Sequence, residues 1–330
     1  MKKYSNYWLA VLFFIVSAAS LLGCSLASGS NLTKKNEPTE VNVAINGGLN
    51  PLIIGREKGW FEEEFAKYNV KVKWSEFPSG PPLLESLASN RVDLSFLGDG
   101  ALIAGLEKKL PFEVIGQTGT GESAVRIIVP TNGKVEKIED LKGKRIGVAA
   151  GTTGHVYLIK ALKNHGLSIN DVKIINLQPD DAQAAFETKQ LDAWATWNPY
   201  ITNNVDKGTA IELKVNGKIL APGGIIARTD FGKKHPDIVE AYLRIYKKAA
   251  DWQIENPDKA AEIYSAETKL PVETVKKIIT AEPPNMFYTE QGIKAQQDSI
   301  KTLAKVGYIK REFQFKDHIN NKYINAAFKK

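Results

Sequence analysis

The residue groups best placed to do chemistry in this chain are short glycine-rich turns that follow apolar runs. Phe77-Pro78-Ser79-Gly80-Pro81-Pro82 and Leu97-Gly98-Asp99-Gly100 each end one predicted strand and open a helix. Gly119-Thr120-Gly121 follows a third strand, and Ala150-Gly151-Thr152-Thr153-Gly154 opens the helix that carries His155. Any one of these is a plain tight turn with a helix cap. Four of them at strand ends point to a ligand site, because in open α/β sheets ligands bind at the carboxyl ends of the strands. A helix start offers unpaired backbone N–H groups and partial positive charge, so Gly151-Thr152-Thr153 reads as an anion cradle, with the threonine hydroxyls as extra donors. Trp194, Trp197 and Tyr200 surround Asn198-Pro199. Trp197, where strand gives way to helix, is placed to pack on an apolar ligand tail, while Trp194 suits core and cleft equally well. Asp192 reads as a cap or ion-pair partner.

Catalytic sets are missing from the sequence. There is no P-loop, no glycine fingerprint for a dinucleotide and no Gly-x-Ser-x-Gly elbow. His155 and His165 lie on one predicted helix and its end, His235 and His318 stand alone, and none has metal-ligand spacing. Cys24 is the only cysteine, so no internal disulfide can form. No enzyme activity, cofactor or metal is expected. The net charge is +7, or +5 once Lys2 and Lys3 leave with a cleaved leader. The lysines are scattered and form no stripe interleaved with aromatics, which argues against nucleic acid as a partner. An apolar content of 43% and a charged content of 25% are those of an ordinary soluble globular chain.

The elements that must position these turns begin with an address. Met1-Lys2-Lys3 is a basic start, and the following apolar stretch ends at Leu21-Leu22-Gly23-Cys24, as a bacterial lipobox does. Residues 1–23 therefore read as a lipoprotein signal peptide and Cys24 as the lipid attachment site. Residues 24–40 read as a polar, flexible tether. Diacylglycerol on Cys24 would hold the protein at the outer face of a membrane, since two acyl chains anchor stably where one does not. From residue 41 a βα rhythm sets in, with strands expected at 41–45, 70–77, 92–97 and 112–117 and helices at 52–65, 82–89 and 100–108. A second set follows: strands at 124–129, 145–149, 172–177 and 193–197, a helical turn at 138–141, and helices at 153–164, 180–188 and 199–205. A strand at 225–228 returns to the first set, and the remainder is helical: 236–256, 257–264, 272–279 and 289–306. This rhythm implies mostly parallel sheets with helices on both faces, built as two Rossmann-like αβα units joined by extended segments.

Several of these segments together resemble a known family. Phe77-Pro78-Ser79-Gly80-Pro81, Val92-Asp93 with Gly98-Asp99-Gly100, and Asp140-Leu141-Lys142-Gly143-Lys144-Arg145-Ile146-Gly147-Val148 are similar to the aliphatic sulfonate, taurine and nitrate group of ABC-transporter substrate-binding proteins. So are Gly151-Thr152-Thr153-Gly154-His155, Leu177-Gln178-Pro179-Asp180-Asp181-Ala182, and Leu191-Asp192-Ala193-Trp194 through Trp197-Asn198-Pro199. The resemblance runs from about residue 41 to 256 and implies a type II periplasmic-binding fold with a two-crossing hinge. Residues 41–123 with 224–330 would form one lobe and 124–223 the other, with the ligand held between them and the closed form recognised by a permease and its ATPase. Carried over by position, the ligand would meet Ser79, Gly80, Gly98, Asp99, Gly119, Thr120, Gly151, Thr152 and Thr153. His155 and Trp194 or Trp197 would line the pocket, and Arg126 and Arg145 are the nearest candidates for a ligand arginine. The implied ligand is an aliphatic sulfonate or taurine. The alternative is a neutral or aromatic ligand such as a pyrimidine precursor of thiamine, for which Trp194 and Trp197 would stack. A pyrimidine synthase on the same fold would need cysteine and histidine positions that this sequence lacks, and a purely structural lipoprotein would have no use for so many glycine turns. A monomer is expected, since opening and closing gain nothing from a dimer.

Overall fold

Strands arise where apolar residues alternate, and their order shows the same plan used twice. The computed structural model describes residues 39–122 and 124–329, so the expected leader, Cys24 and the tether up to residue 38 lie outside the described residues. Thr39 and Glu40, read as the end of the tether, are already strand. One sheet consists of β1 (Thr39–Asn46), β2 (Val70–Phe77), β3 (Leu94–Leu97), β4 (Phe112–Gln117) and β10 (Gly224–Arg228), in the order β2-β1-β3-β10-β4. The other consists of β5 (Val125–Pro130), β6 (Arg145–Val148), β7 (Lys173–Asn176), β8 (Ala193–Trp197) and β9 (Ala210–Glu212), in the order β7-β6-β8-β5-β9.

The expected α/β fold of two lobes with two crossings is present. The chain passes to the second sheet between β4 and β5 and returns between β9 and β10. The sheets are mixed, however. In each, the strand that has just arrived from the other sheet takes the fourth place and runs antiparallel to both neighbours: β10 in the first, β5 in the second. The pairs β1–β2, β1–β3, β6–β7 and β6–β8 are parallel. The reversal follows from the crossing. A chain that leaves one sheet at the carboxyl end of a strand enters the next at its carboxyl edge and must run back.

Each sheet is packed on both faces, and the two-residue period of the strands sorts side chains between them. Val41, Val43 and Ile45 of β1 join one buried cluster while Ala44 joins another, and in the second sheet Ile127 and Ile128 of β5 divide in the same way. The first face of the first sheet is covered by α1 (Pro51–Glu57), α2 (Trp60–Ala66) and C-terminal helices; its second face by α3 (Gly80–Ala88) and α4 (Asp99–Glu107). The second sheet is covered by α5 (Thr153–Asn164) on one side and by α6 (Pro179–Glu187) and α7 (Tyr200–Asp206) on the other. After β10 come α8 (Thr229–Lys234), α9 (Pro236–Glu255), α10 (Pro257–Thr268), α11 (Val272–Ala281), α12 (Glu290–Lys305) and α13 (Lys322–Phe328).

Helix starts follow the proline rule: Pro51, Pro179, Pro236 and Pro257 each sit in the first turn, where a missing N–H costs nothing. The one helix expected over 52–65 is two, because Gly59 adopts a left-handed φ of 66° between α1 and α2. The three-residue β9 and the helices α8 and α13 were not expected; β9 is too short to show a period.

Candidate functional site

The glycine turns come together at one place. A cavity of about 230 Å³ lies between the two sheets and is reached by Asn46 at the end of β1, by Ser79, Gly98 and Thr118 beyond β2, β3 and β4, and by Thr152 and Trp197 of the second sheet. Val125 and Gly223, at the starts of the two antiparallel strands, also line it. Every strand edge on the cavity is thus a carboxyl end or the start of a reversed strand, the arrangement that lets helix N-termini face a ligand.

Four N-cap residues line this cavity: Asn50, Ser79, Gly98 and Thr152. Asn50 satisfies its own helix, its Oδ1 accepting from the Leu52 N–H at 3.0 Å. Ser79, Gly98 and Thr152 make no such side-chain cap. Their helices α3, α4 and α5 therefore turn first-turn N–H groups and positive dipole ends toward the same space. In α3 the contribution is limited to Gly80, because Pro81 and Pro82 have no N–H. The threonine hydroxyls are not the donors the sequence reading expected. Thr152 Oγ1 donates to the Ala149 carbonyl at 2.6 Å, and the Thr153 hydroxyl bonds the Asp99 carboxylate. What α5 offers a ligand is backbone.

Loops of the two sheets touch across the cavity. Ser79 Oγ donates to Gln178 Oε1 at 2.8 Å, joining the start of α3 to the start of α6. A Cβ on Gly98 would run into Thr153 Oγ1, so glycine is what allows α4 and α5 to meet end to end. Behind this contact sits a buried polar chain. Asp99 is fully buried and accepts from the Gly100 N–H and from Ser299 Oγ, both at 2.9 Å. Lys160 Nζ donates to the same Ser299 Oγ at 2.9 Å and pairs with Asp298 at 2.8 Å. Burial pushes the Asp99 carboxyl up to about 6, against the opposing pull of Lys160 and its hydrogen-bond donors.

Of the residues expected at the ligand, Ser79, Gly80, Gly98, Gly119, Thr152, Thr153 and Trp197 line the cavity. Five do not. Asp99 lies behind the wall in the chain just described. Thr120 is turned to Glu282, its Oγ1 donating to Oε1 at 3.2 Å. Gly151, at a left-handed φ of 77°, gives its N–H to His155 Nδ1 at 3.3 Å. His155 is buried with its ring edge-on to Tyr308, 5.2 Å between centroids, and burial lowers its pKa, which favours the neutral ring. Trp194 is core: it packs on Phe186 and Tyr200 at centroid distances of 6.0 and 5.3 Å. Its place on β8 sends it to the face opposite Ala193 and Ala195. Neither arginine reaches the cavity. Arg126 pairs with Glu212 at 3.2 Å, and Arg145, at the far end of β6, pairs with Asp192 at 3.1 Å.

The sequence reading missed Asn46, Asn50 and Phe96, and the whole contribution of the C-terminal helices: Tyr246 and Gln253 from α9, Ile278 and Ile279 from α11, and Glu282 just after it. Asn46-Gly47-Gly48-Leu49-Asn50-Pro51 is a fifth turn of the kind already singled out, so that signal was present. For the helical residues no local signal exists. The lining residues include no arginine, lysine or histidine, and Glu282 is the one acid among them. No cluster of metal-ligating side chains occurs among the described residues.

Comparison with known proteins agrees with the family resemblance read from the motifs. The profile described as NMT1/THI5 like matches residues 46–260. A protein of Bacillus subtilis (strain 168) that carries the provisional name of aliphatic sulfonates-binding protein is 38% identical over 331 residues, 99% of this chain and 97% of that one. The taurine-binding periplasmic protein of Escherichia coli (strain K12) is 30% identical over 237 residues, 71% of this chain and 72% of that one. Among solved structures, the alkanesulfonate-binding protein SsuA from Xanthomonas axonopodis pv. citri bound to MOPS superposes with a TM-score of 0.79 at 24% identity, covering 86% of this chain and 99% of its own. That likeness establishes the fold.

Proposed function

This chain belongs to the NMT1/THI5-like family, and on that footing we propose that it is the extracytoplasmic substrate-binding protein of an ABC importer, holding an aliphatic sulfonate between its lobes without transforming it. The observation that carries this reading is the convergence of the uncapped N-termini of α3, α4 and α5, from both sheets, on one cavity. A tetrahedral anion with three acceptor oxygens suits such a set of neutral N–H donors, and the helix dipoles favour its charge. Gly80, Gly98, Gly119, Thr152 and Thr153 would hold the sulfonate through backbone, with Ser79 beside them. Leu49, Phe96 and Trp197 supply an apolar wall for the alkyl tail.

The mechanism is a shift between open and closed forms. Residues 41–123 with 224–330 would form one moving body and 124–223 the other, hinged at the two crossings. A ligand biases the balance only through contacts it makes to both lobes at once. Each hydrogen bond to an anionic acceptor contributes about 1.5–3 kcal/mol, so a few such bonds from both sides are enough. The closed form would be read by a permease coupled to an ATPase, and the protein would act as a monomer held by lipid on Cys24 at the outer face of the membrane.

The test has two arms. Calorimetric titration of the purified protein with ethanesulfonate, taurine, nitrate and hydroxymethylpyrimidine should give heat and micromolar or tighter binding with a sulfonate. Heat from the pyrimidine alone would overturn the sulfonate reading and turn attention to Trp197 and Phe96. In cells, the Cys24→Ala variant should leave the membrane fraction; retention there would sink the lipid anchor.

A further inference from the structure

A second cavity shares no lining residue with the first, and its wall is basic. It measures about 330 Å³ and lies between the end of α5 with residues 218–220, which belong with the second sheet, and α12, which follows β10 of the first. Lys160 and Lys163 of α5, Lys218, and Lys294 of α12 line it, against a single carboxylate, Asp298. That carboxylate is already taken: Lys160, its side chain only 8% exposed, pairs with it at 2.8 Å. Lys218 pairs at 2.6 Å with Glu122, which is off the wall; both of these side chains are about half exposed, and such a pair contributes little. Lys163 and Lys294 have no ion-pair partner among the described residues. Thr302, a buried residue on the same wall, has a hydroxyl that bonds nothing among the described residues. Lys163 stands in the last turn of α5, where a cation suits the helix dipole. Lys218 and Lys294 lie on other segments, so the dipole does not explain their arrival at the same space.

We propose that this cavity is a second anion site, taking a small multivalent oxyanion of the phosphate or sulfate type that bridges Lys163 on α5 and Lys294 on α12. An ammonium has three donors and no acceptor, so lysines brought together from two sides repel one another until an acceptor of opposite charge stands between them. The two cavities differ in chemistry. The first meets an anion with neutral backbone N–H groups, as suits a single charge, whereas four ammoniums facing one carboxylate suit an anion that carries two or more. The buried Lys160 and Thr302 give this site a polar back wall. Because no residue is shared, it stands independently of the sulfonate reading.

Inorganic phosphate and sulfate are the probes, titrated calorimetrically into the purified protein with sodium chloride holding the ionic strength constant. The unaltered protein should bind each at one site with a Kd of about a millimolar or tighter. Lys163→Gln and Lys294→Gln, exchanges at exposed positions that spare the fold, should each weaken that binding about three- to tenfold. A loss in only one of the two variants would put the anion on one side of the seam and overturn the bridge. Binding unchanged in both would seat the anion elsewhere, for instance on the N-termini of α3, α4 and α5, and overturn the site. An absence of heat from either probe, with the lysines serving only as solvated charge, overturns it as well.

Discussion

Asp99 shows how one side chain can look like a ligand contact and serve another purpose. It stands in a glycine turn at the carboxyl end of β3, yet it is fully buried and bonded to Gly100, Thr153 and Ser299, with Lys160 one step further. Its carboxyl is pushed up from 3.8 to about 6 chiefly by burial. The folded protein therefore keeps this proton over a range in which the unfolded chain has already released it. The stability this group contributes is greatest at low pH and falls as pH rises from about 4 to 6, by roughly 3 kcal/mol. Asp99→Asn has no such slope. Denaturant unfolding at a series of pH values should show the variant gaining on the unaltered protein between about pH 4 and 6, with a constant difference outside that window. Parallel profiles would mean that the Asp99 carboxyl titrates in the folded protein as it does in the unfolded chain.

At the scale of the element, β8 decides between two tryptophans. Successive side chains on a strand point to opposite faces, so Trp194 and Trp197, three apart, cannot share one. Trp194 is 1% exposed among Phe186, Leu191 and Ile201, whereas Trp197 is half-buried at the strand's carboxyl end on the cavity. Trp194→Ala should cost about 3–5 kcal/mol of stability and leave the affinity of the folded protein nearly unchanged. Trp197→Ala should do the reverse, weakening sulfonate binding about tenfold with a smaller loss of stability, because the ligand tail loses apolar contact. Unfolding curves and calorimetry on both variants separate these outcomes; a cleft role for Trp194 would appear as the opposite pattern.

At the scale of the whole molecule, the contacts joining the two sheets differ in kind from one side to the other. On one side Val156 and Ile159 of α5 pack with Ile300, Leu303 and Ile309, beside the buried Lys160–Ser299–Asp99 chain. On the other, Asp206 of α7 accepts from Thr274 Oγ1 at 2.7 Å and from Lys277 Nζ at 3.0 Å on α11, with the Lys277 side chain 64% exposed. Separating a buried ionic and apolar seam leaves charges without partners, whereas an exposed pair contributes only about 0–1 kcal/mol. As the lobes swing about the two crossings, they should therefore part first at α7 and α11, with the α5 and α12 seam the harder to open. Asp206→Ala is expected to speed ligand release by up to about fivefold while barely moving the melting temperature. Stopped-flow dissociation that shows no change would place the gate elsewhere.

The sequence alone determined the elements and their general use. β2, β4, β8 and α5 lie where the alternation and the helical period put them, because a strand or helix with a buried face carries its period in its own residues. The glycine turns marked the cavity because a close approach of two backbones demands glycine wherever it occurs. Family motifs led to the two-lobed fold. Tertiary structure alone decided the rest. It placed Tyr246 and Glu282 on the wall from helices that follow β10, since an amphipathic helix shows which face is inward but not which inward residue meets a space. It turned Asp99, His155 and Trp194 away from the cavity, and it placed Arg126 and Arg145 outside the cavity wall, paired with Glu212 and Asp192. A side chain's neighbours across the fold, and not its neighbours along the chain, set whether a polar group is spent on the protein or left for a ligand.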